Sequence, residues 1–164
     1  MADNKVLILM GSDSDFPVMK KAVGVLKEFG VECEVRVHSV HRVPEVALKK
    51  AAEAESEGFR VIICGAGMAA HLAGAVAAKS NLPVIGVPLE SGALKGVDAL
   101  YSTVQMPPGV PVATVGIGGS KNAAILAVRI MALSDSGLRE RLDDYRRSMA
   151  DEVLAKDRRI QEEL

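Results

Sequence analysis

Short β-branched runs alternate with helical stretches along most of the chain, and this alternation constrains the fold more than any other feature. The runs KVLILM, VECEVRVHS, RVIICG, PVIGVP and PVATVGI are bounded by Gly, Pro or polar residues, and FPVMKKAVGVLKEFG, PEVALKKAAEAESEG and AAHLAGAVAAKS separate the first four. Strand, helix, strand, repeated in this way, is the grammar of a parallel sheet covered on both faces. The first helix is well signalled: Met19, Ala22, Val23, Leu26 and Phe29 form one stripe, Pro17 sits in the first turn, and Gly30 ends it.

Strands one and three are continuously apolar, as centre strands buried on both faces should be. Strand two instead alternates Val31, Cys33, Val35 and Val37 with Glu32, Glu34, Arg36 and His38, which predicts an edge. An edge second strand suits a three-layer αβα fold with a flavodoxin-like five-stranded sheet of order 2-1-3-4-5. In that order, ligands bind beyond the carboxyl ends of the strands, at the switch point between strands one and three. Downstream, SKNAAILAVRIMAL (120–133) predicts a helix apolar almost all round and therefore buried. From residue 137 a long charged helix carries Leu138, Leu142, Tyr145, Met149 and Val153 on one stripe, an arm for a neighbouring subunit or for its own body.

With 164 residues and 49% hydrophobic content, the chain is expected to form one domain over 1–164, residues 137–164 being the helical arm. A net charge of −1 with interspersed signs offers no basic face for nucleic acid, and three Phe, two Tyr and no Trp leave no platform for stacking bases. The apolar run near the start is too short for a signal-peptide core, and no later segment reaches the ~20 apolar residues of a membrane span. Cys33 and Cys64 fit neither a zinc site nor a disulfide framework. These readings predict a soluble cytoplasmic protein.

Three loops should converge on the predicted crevice. GSDSDFP offers a flexible Gly11, the hydroxyls of Ser12 and Ser14, and a helix N-terminus, parts that suit a phosphate. An ordinary cap by Asp15 or Ser14 accounts for the same residues. Asp13 would repel a phosphate and should point away, while Asp15 could accept hydrogen bonds from ribose hydroxyls. In SVHRVP, His38 continues the polar face of strand two and reads as a surface residue, whereas His41 lies over the crevice. Beside it, Arg42 is suited to anchor a phosphate while the imidazole shuttles a proton, although a solvated His-Arg pair fits the spacing equally. GAGMAAHLAG has small residues that let backbone approach a flat ligand, or else forms a tight turn with His71 as a capping or core histidine. Its Gly-x-Gly lacks a third glycine and is weak evidence for a dinucleotide, and three histidines without carboxylate partners make no convincing metal site.

Taken together with VDALYSTVQMPPGVPVAT, these loops resemble the bacterial, class I type of the PurE family, the 5-(carboxyamino)imidazole ribonucleotide mutases of purine biosynthesis, called phosphoribosylaminoimidazole carboxylases in older usage. The likeness runs unbroken from about residue 5 to 133. Its GSxSD motif stands as Gly11 to Asp15, implying phosphate contacts from Ser12 and ribose contacts from Asp15, with Ser14 beside them. SAHR stands as Ser39-Val40-His41-Arg42, making His41 the implied general acid and base and Arg42 an implied phosphate ligand. GAGGAAHLPG stands as Gly65 to Gly74, where Ala66, Gly67, His71 and Leu72 would flank the imidazole ring. Met68 replaces a family glycine, Ala73 a proline, Val40 an alanine and Val43 a threonine.

The resemblance implies an isomerase that moves a carboxylate from the exocyclic amine to ring carbon four by decarboxylation and recarboxylation, without cofactor or metal. It further implies a homo-octamer and leaves open a transient contact with the synthetase that makes the carbamate. Direct carboxylation of aminoimidazole ribonucleotide by free carbon dioxide is the alternative. Outside the family stand a flavodoxin-like receiver or flavin module, and a purely structural oligomer.

Overall fold

The computed structural model describes residues 4–164. Five parallel strands, β1 (Lys5–Met10), β2 (Glu32–Val37), β3 (Phe59–Gly67), β4 (Val84–Leu89) and β5 (Ala113–Thr114), form one sheet in the order β2-β1-β3-β4-β5. The order expected from the edge-like pattern of strand two is the one found. Val6 to Met10 and Val61 to Cys64 are almost completely buried, as strands covered on both faces must be, whereas Val37 at the end of β2 is 47% exposed.

Helices α1 (Phe16–Glu28), α5 (Ser120–Met131) and the start of α6 (Ser136–Glu162) cover one face. Helices α2 (Pro44–Glu53) and α3 (Leu72–Ala77) cover the other, closing over Leu7, Leu9, Phe59 and Ile62. Pro17 and Pro44 stand in the first turns of α1 and α2, where a missing N–H removes nothing from the helix. Gly30 ends the first helix region with φ +66°, a left-handed conformation open to glycine. The Ser120 hydroxyl, fully buried, donates to the Val18 carbonyl at 2.6 Å and ties α5 to α1.

Several elements depart from the sequence expectations. Between β4 and β5, where the sequence pattern assigns no helix, stands α4 (Val97–Val104), which packs on β4 so closely that a Cβ at Gly86 would stand 2.3 Å from Thr103 Cγ2. The fifth strand is only two residues long. On α1, Val25 is buried and Val23 only partly so, because the burying face is rotated slightly from the expected stripe. Helix α5 is not buried all round: Ala123, Ala124, Ala127, Val128 and Met131 face the sheet, Ile125, Leu126 and Ile130 are half-buried, and Leu133 lies beyond its end at 78% exposure. Along α6 only Leu138 and Leu142 are buried and Tyr145 packs edge-on against Phe29, so that Met149, Val153, Leu154 and Ile160 face outward. No helix among the described residues is long and apolar enough to cross a membrane.

The two cysteines occupy different depths of the sheet. Cys33 is half-buried on the edge strand β2, while Cys64 in β3 is 1% exposed, and burial pushes its thiol far up.

Candidate functional site

Beyond the carboxyl ends of β1, β2 and β3 lies a cleft of about 370 Å³. Ser12, Ser14 and Asp15 from the first loop, Ser39, His41 and Arg42 from the second, and Ala66, Gly67, His71 and Leu72 from the third all line it. All ten residues singled out from sequence are therefore brought together. Parallel strands carry their exit loops to one end of the sheet, and the central position of β1 and β3 makes those loops neighbours.

The first loop is pinned by reciprocal hydrogen bonds. Ser12 caps a single 3-10 turn over Asp13–Asp15, accepting from the Ser14 N–H, while Asp15 Oδ2 accepts from the Ser12 N–H at 3.0 Å. The cap is thus Ser12 rather than Asp15 or Ser14, and the Ser12 and Ser14 hydroxyls lie 2.9 Å apart at the cleft. Burial pushes the Asp15 carboxyl up, against the lowering effect of the Ser12 and Gly11 N–H groups, and the charge of Asp13 adds to the rise. Asp13 itself is exposed and stands outside the lining.

The second loop begins where the His38 N–H pairs with the Met10 carbonyl at 2.9 Å, and then folds on itself as Arg42 and Val43 donate to the Ser39 carbonyl. This turn presents His41 and Arg42 to the cleft before Pro44 starts α2. Among the described residues no carboxylate lies within ion-pair distance of Arg42, so its guanidinium is available to an anion. His38 is not the surface residue expected: it is half-buried with Nδ1 lacking a partner, and burial first, then Arg36 and Lys50, hold its pKa below the usual histidine value.

The third loop brings the closest functional contact. His41 Nε2 and His71 Nδ1 stand 2.8 Å apart, with the rings edge to face at 88°. A nitrogen-to-nitrogen hydrogen bond needs one donor and one acceptor, so this pair holds a proton between two rings from loops 30 residues apart. His71 occupies the cap position of α3 but makes no side-chain cap bond there. Gly67 lets backbone pass where a Cβ would come within 3.0 Å of Ser91 Cβ. Ser91 also lines the cleft. It was not foreseen, because an isolated serine after strand four belongs to no motif in the loops considered. Among the described residues no three His, Cys, Asp or Glu side chains converge as metal ligands.

Comparison with known proteins agrees with this architecture. The family model for AIR carboxylase matches residues 5–152. The N5-carboxyaminoimidazole ribonucleotide mutase of Pyrococcus abyssi is 56% identical over 145 residues, covering 88% of this chain and 83% of that protein. The protein of the same name from Mycobacterium tuberculosis is 53% identical over 157 residues, covering 96% and 90%. The crystal structure of Treponema denticola PurE superposes with a TM-score of 0.86 at 34% identity, over 93% of this chain and 96% of that one. Matching sequence, sheet order and loop placement leave one assignment, and the chain belongs to the AIR carboxylase family.

Proposed function

We propose that this chain is a cytoplasmic 5-(carboxyamino)imidazole ribonucleotide mutase, with His41 as its proton-transfer group. The observation that carries the reading is the cleft itself, where a hydrogen-bonded imidazole, an unpaired guanidinium and two hydroxyls meet beside closely packed backbone. The relatives' names supply the reaction class.

Ser12, Ser14 and Arg42 hold the phosphate, Asp15 accepts from the ribose hydroxyls, and Ser39 lines the second loop beside it. Ala66, Gly67, His71 and Leu72 flank the ring. His41 protonates the carbamate nitrogen; the nitrogen-carbon bond breaks with its electrons returning to nitrogen, and carbon dioxide is released within the cleft. Ring carbon four then attacks the carbon dioxide, and neutral His41 removes the ring proton, restoring its starting form. No net proton is consumed. His71 keeps the His41 ring oriented through the 2.8 Å hydrogen bond. Proton transfer by one positioned group contributes ~10²–10⁴-fold, so His41→Asn is expected to lower turnover on that scale.

The deciding assay measures carboxylation at carbon four with either the carbamate or aminoimidazole ribonucleotide plus carbon dioxide. Faster use of the carbamate is expected. Turnover with carbon dioxide alone would make the chain a carboxylase, and no product from either would refute the family activity for this chain. The outward Met149, Val153, Leu154 and Ile160 of α6 support packing of the arm on neighbouring subunits, the homo-octamer itself being what family resemblance implies, and sedimentation as a monomer would refute it.

A further inference from the structure

Ser91 is the one residue of the cleft lining that comes from beyond β4, and the proposed reaction gives it no task. β4 runs parallel to β3 with Leu89 opposite Gly67, so the chain leaving β4 passes beside the Gly67 backbone. An ideal Cβ on Gly67 would lie 3.0 Å from the Ser91 Cβ. This contact fixes the serine against the bare backbone of Ala66 and Gly67, which flanks the substrate ring in the proposed pose. The side chain is half-buried, and its hydroxyl makes no hydrogen bond to another of the described residues. Ser12 and Ser14, by contrast, are already engaged with each other at 2.9 Å.

We infer that Ser91 donates its O–H to the carboxylate that the reaction moves, and so makes the site discriminate a carboxylated nucleotide from its decarboxylated counterpart. This rests on the mutase reading and adds a residue to it. The substrate carries two anionic groups, a phosphate and a carboxylate, while the cleft lining holds a single permanent cation, Arg42. With Arg42, Ser12 and Ser14 taken by the phosphate, neutral donors have to meet the carboxylate. Ionised Asp15 only accepts, and His71 Nδ1 is shared with His41. Of the two hydroxyls that remain, Ser39 sits in the turn of Arg42, whose N–H donates to the Ser39 carbonyl at 3.2 Å, whereas Ser91 stands against Gly67, beside the ring. The exocyclic nitrogen and carbon four are neighbours on that ring, so one donor at its edge serves the carboxylate before and after transfer. Neutral carbon dioxide attracts the same hydroxyl more weakly. Ser91 is therefore a specificity residue that holds carbamate and product, and it carries no proton.

Calorimetric titration of Ser91→Ala with two nucleotides tests this. One is the carboxylated product, 4-carboxy-5-aminoimidazole ribonucleotide; the other is aminoimidazole ribonucleotide, which keeps ring, amine, ribose and phosphate but lacks the carboxylate. Loss of a hydrogen bond to a charged acceptor at a half-buried site is expected to weaken the first about tenfold and to leave the second within about twofold of wild type. KM for the carbamate should rise with kcat undiminished, since the bond is made to the bound carboxylate and weakens as carbon dioxide forms. Ser91→Cys, close to serine in size but a weak donor, should behave like Ser91→Ala, whereas a role in packing alone would spare it. Both variants should melt with wild type, because the hydroxyl bonds nothing in the protein. An equal loss for both nucleotides, an unchanged affinity for the product, or wild-type discrimination in Ser91→Cys overturns the inference. Wild type that forms no product from the carbamate refutes the mutase reading, an outcome read from turnover and so distinct from the binding result.

Discussion

Replacing His71 by Phe keeps a flat ring over the cleft and removes the nitrogen that bonds His41 Nε2 at 2.8 Å. A hydrogen bond to a group that carries charge during part of the cycle is worth roughly 1.5–3 kcal/mol when well shielded. Both imidazoles are exposed, so about 1–2 kcal/mol is the appropriate range, equivalent to a roughly five- to thirtyfold fall in kcat. The expected loss is smaller than that of His41→Asn, because a misoriented base still works part of the time. Steady-state kinetics on the carbamate should show kcat falling with KM little changed, since the phenyl ring keeps the flat contact with the substrate ring while the hydrogen bond to His41 is lost. Thermal stability should hardly move: His71 is exposed and caps nothing with its side chain. The double variant His41→Asn/His71→Phe should be no slower than His41→Asn alone, because the second residue has nothing left to orient. A kcat within twofold of wild type, or losses that simply multiply in the double variant, would refute the coupling.

Two further predictions concern the scaffold. Glu34, bonded by Arg36 at 2.8 Å and paired with Lys50 at 2.9 Å, has its carboxyl lowered from 4.5 to about 2, first by Arg36 and then by Lys50. A lowered carboxyl stabilises the fold above its unfolded pKa and loses that contribution as pH falls through the folded one, so roughly 1–2 kcal/mol should disappear between pH 4.5 and about 2 after allowance for solvent screening. Urea titrations should find Glu34→Gln weaker than wild type at neutral pH and equal to it near pH 2; a constant gap would contradict the assignment. Gly86→Ala drives a methyl to 2.3 Å from Thr103 Cγ2 and is expected to destabilise by about 1–3 kcal/mol. Calorimetry should show partial recovery in Gly86→Ala/Thr103→Ser, which removes the opposing methyl and keeps the hydroxyl that donates to the Ala99 carbonyl.

What was legible in the sequence was whatever depends on local pattern. The alternation in β2 announced an edge, Pro17 and Gly30 framed the first helix, and loops at the ends of parallel strands had to share one end of the sheet. Helix α4 escaped because VDALYSTV is short, has no side-chain cap and follows Gly96 in a left-handed conformation. The final strand shrank to Ala113–Thr114 because it pairs only with β4 at the open edge of the sheet. Helix α5 looked apolar all round, yet one sheet can bury only one face of a helix. At the site, residue types named ten lining positions, but the hydrogen bond between His41 and His71 depends on three-dimensional placement that no spacing rule encodes. The strain at Met68 was equally invisible, since a left-handed φ at a methionine is set by the turn around it.

The unequal depths of the two cysteines make the sheet self-reporting. The thiolate is the nucleophile that attacks an alkylating reagent, and burial in β3 suppresses it at Cys64, so modification there requires the central strands to separate. Cys33 sits on β2, which has a strand neighbour on one side only, and fraying of that edge exposes it while the centre remains closed. Pulsed alkylation followed by peptide mass analysis therefore distinguishes edge fraying from global opening without any added label, and the order in which the two thiols react records the order in which the sheet comes apart.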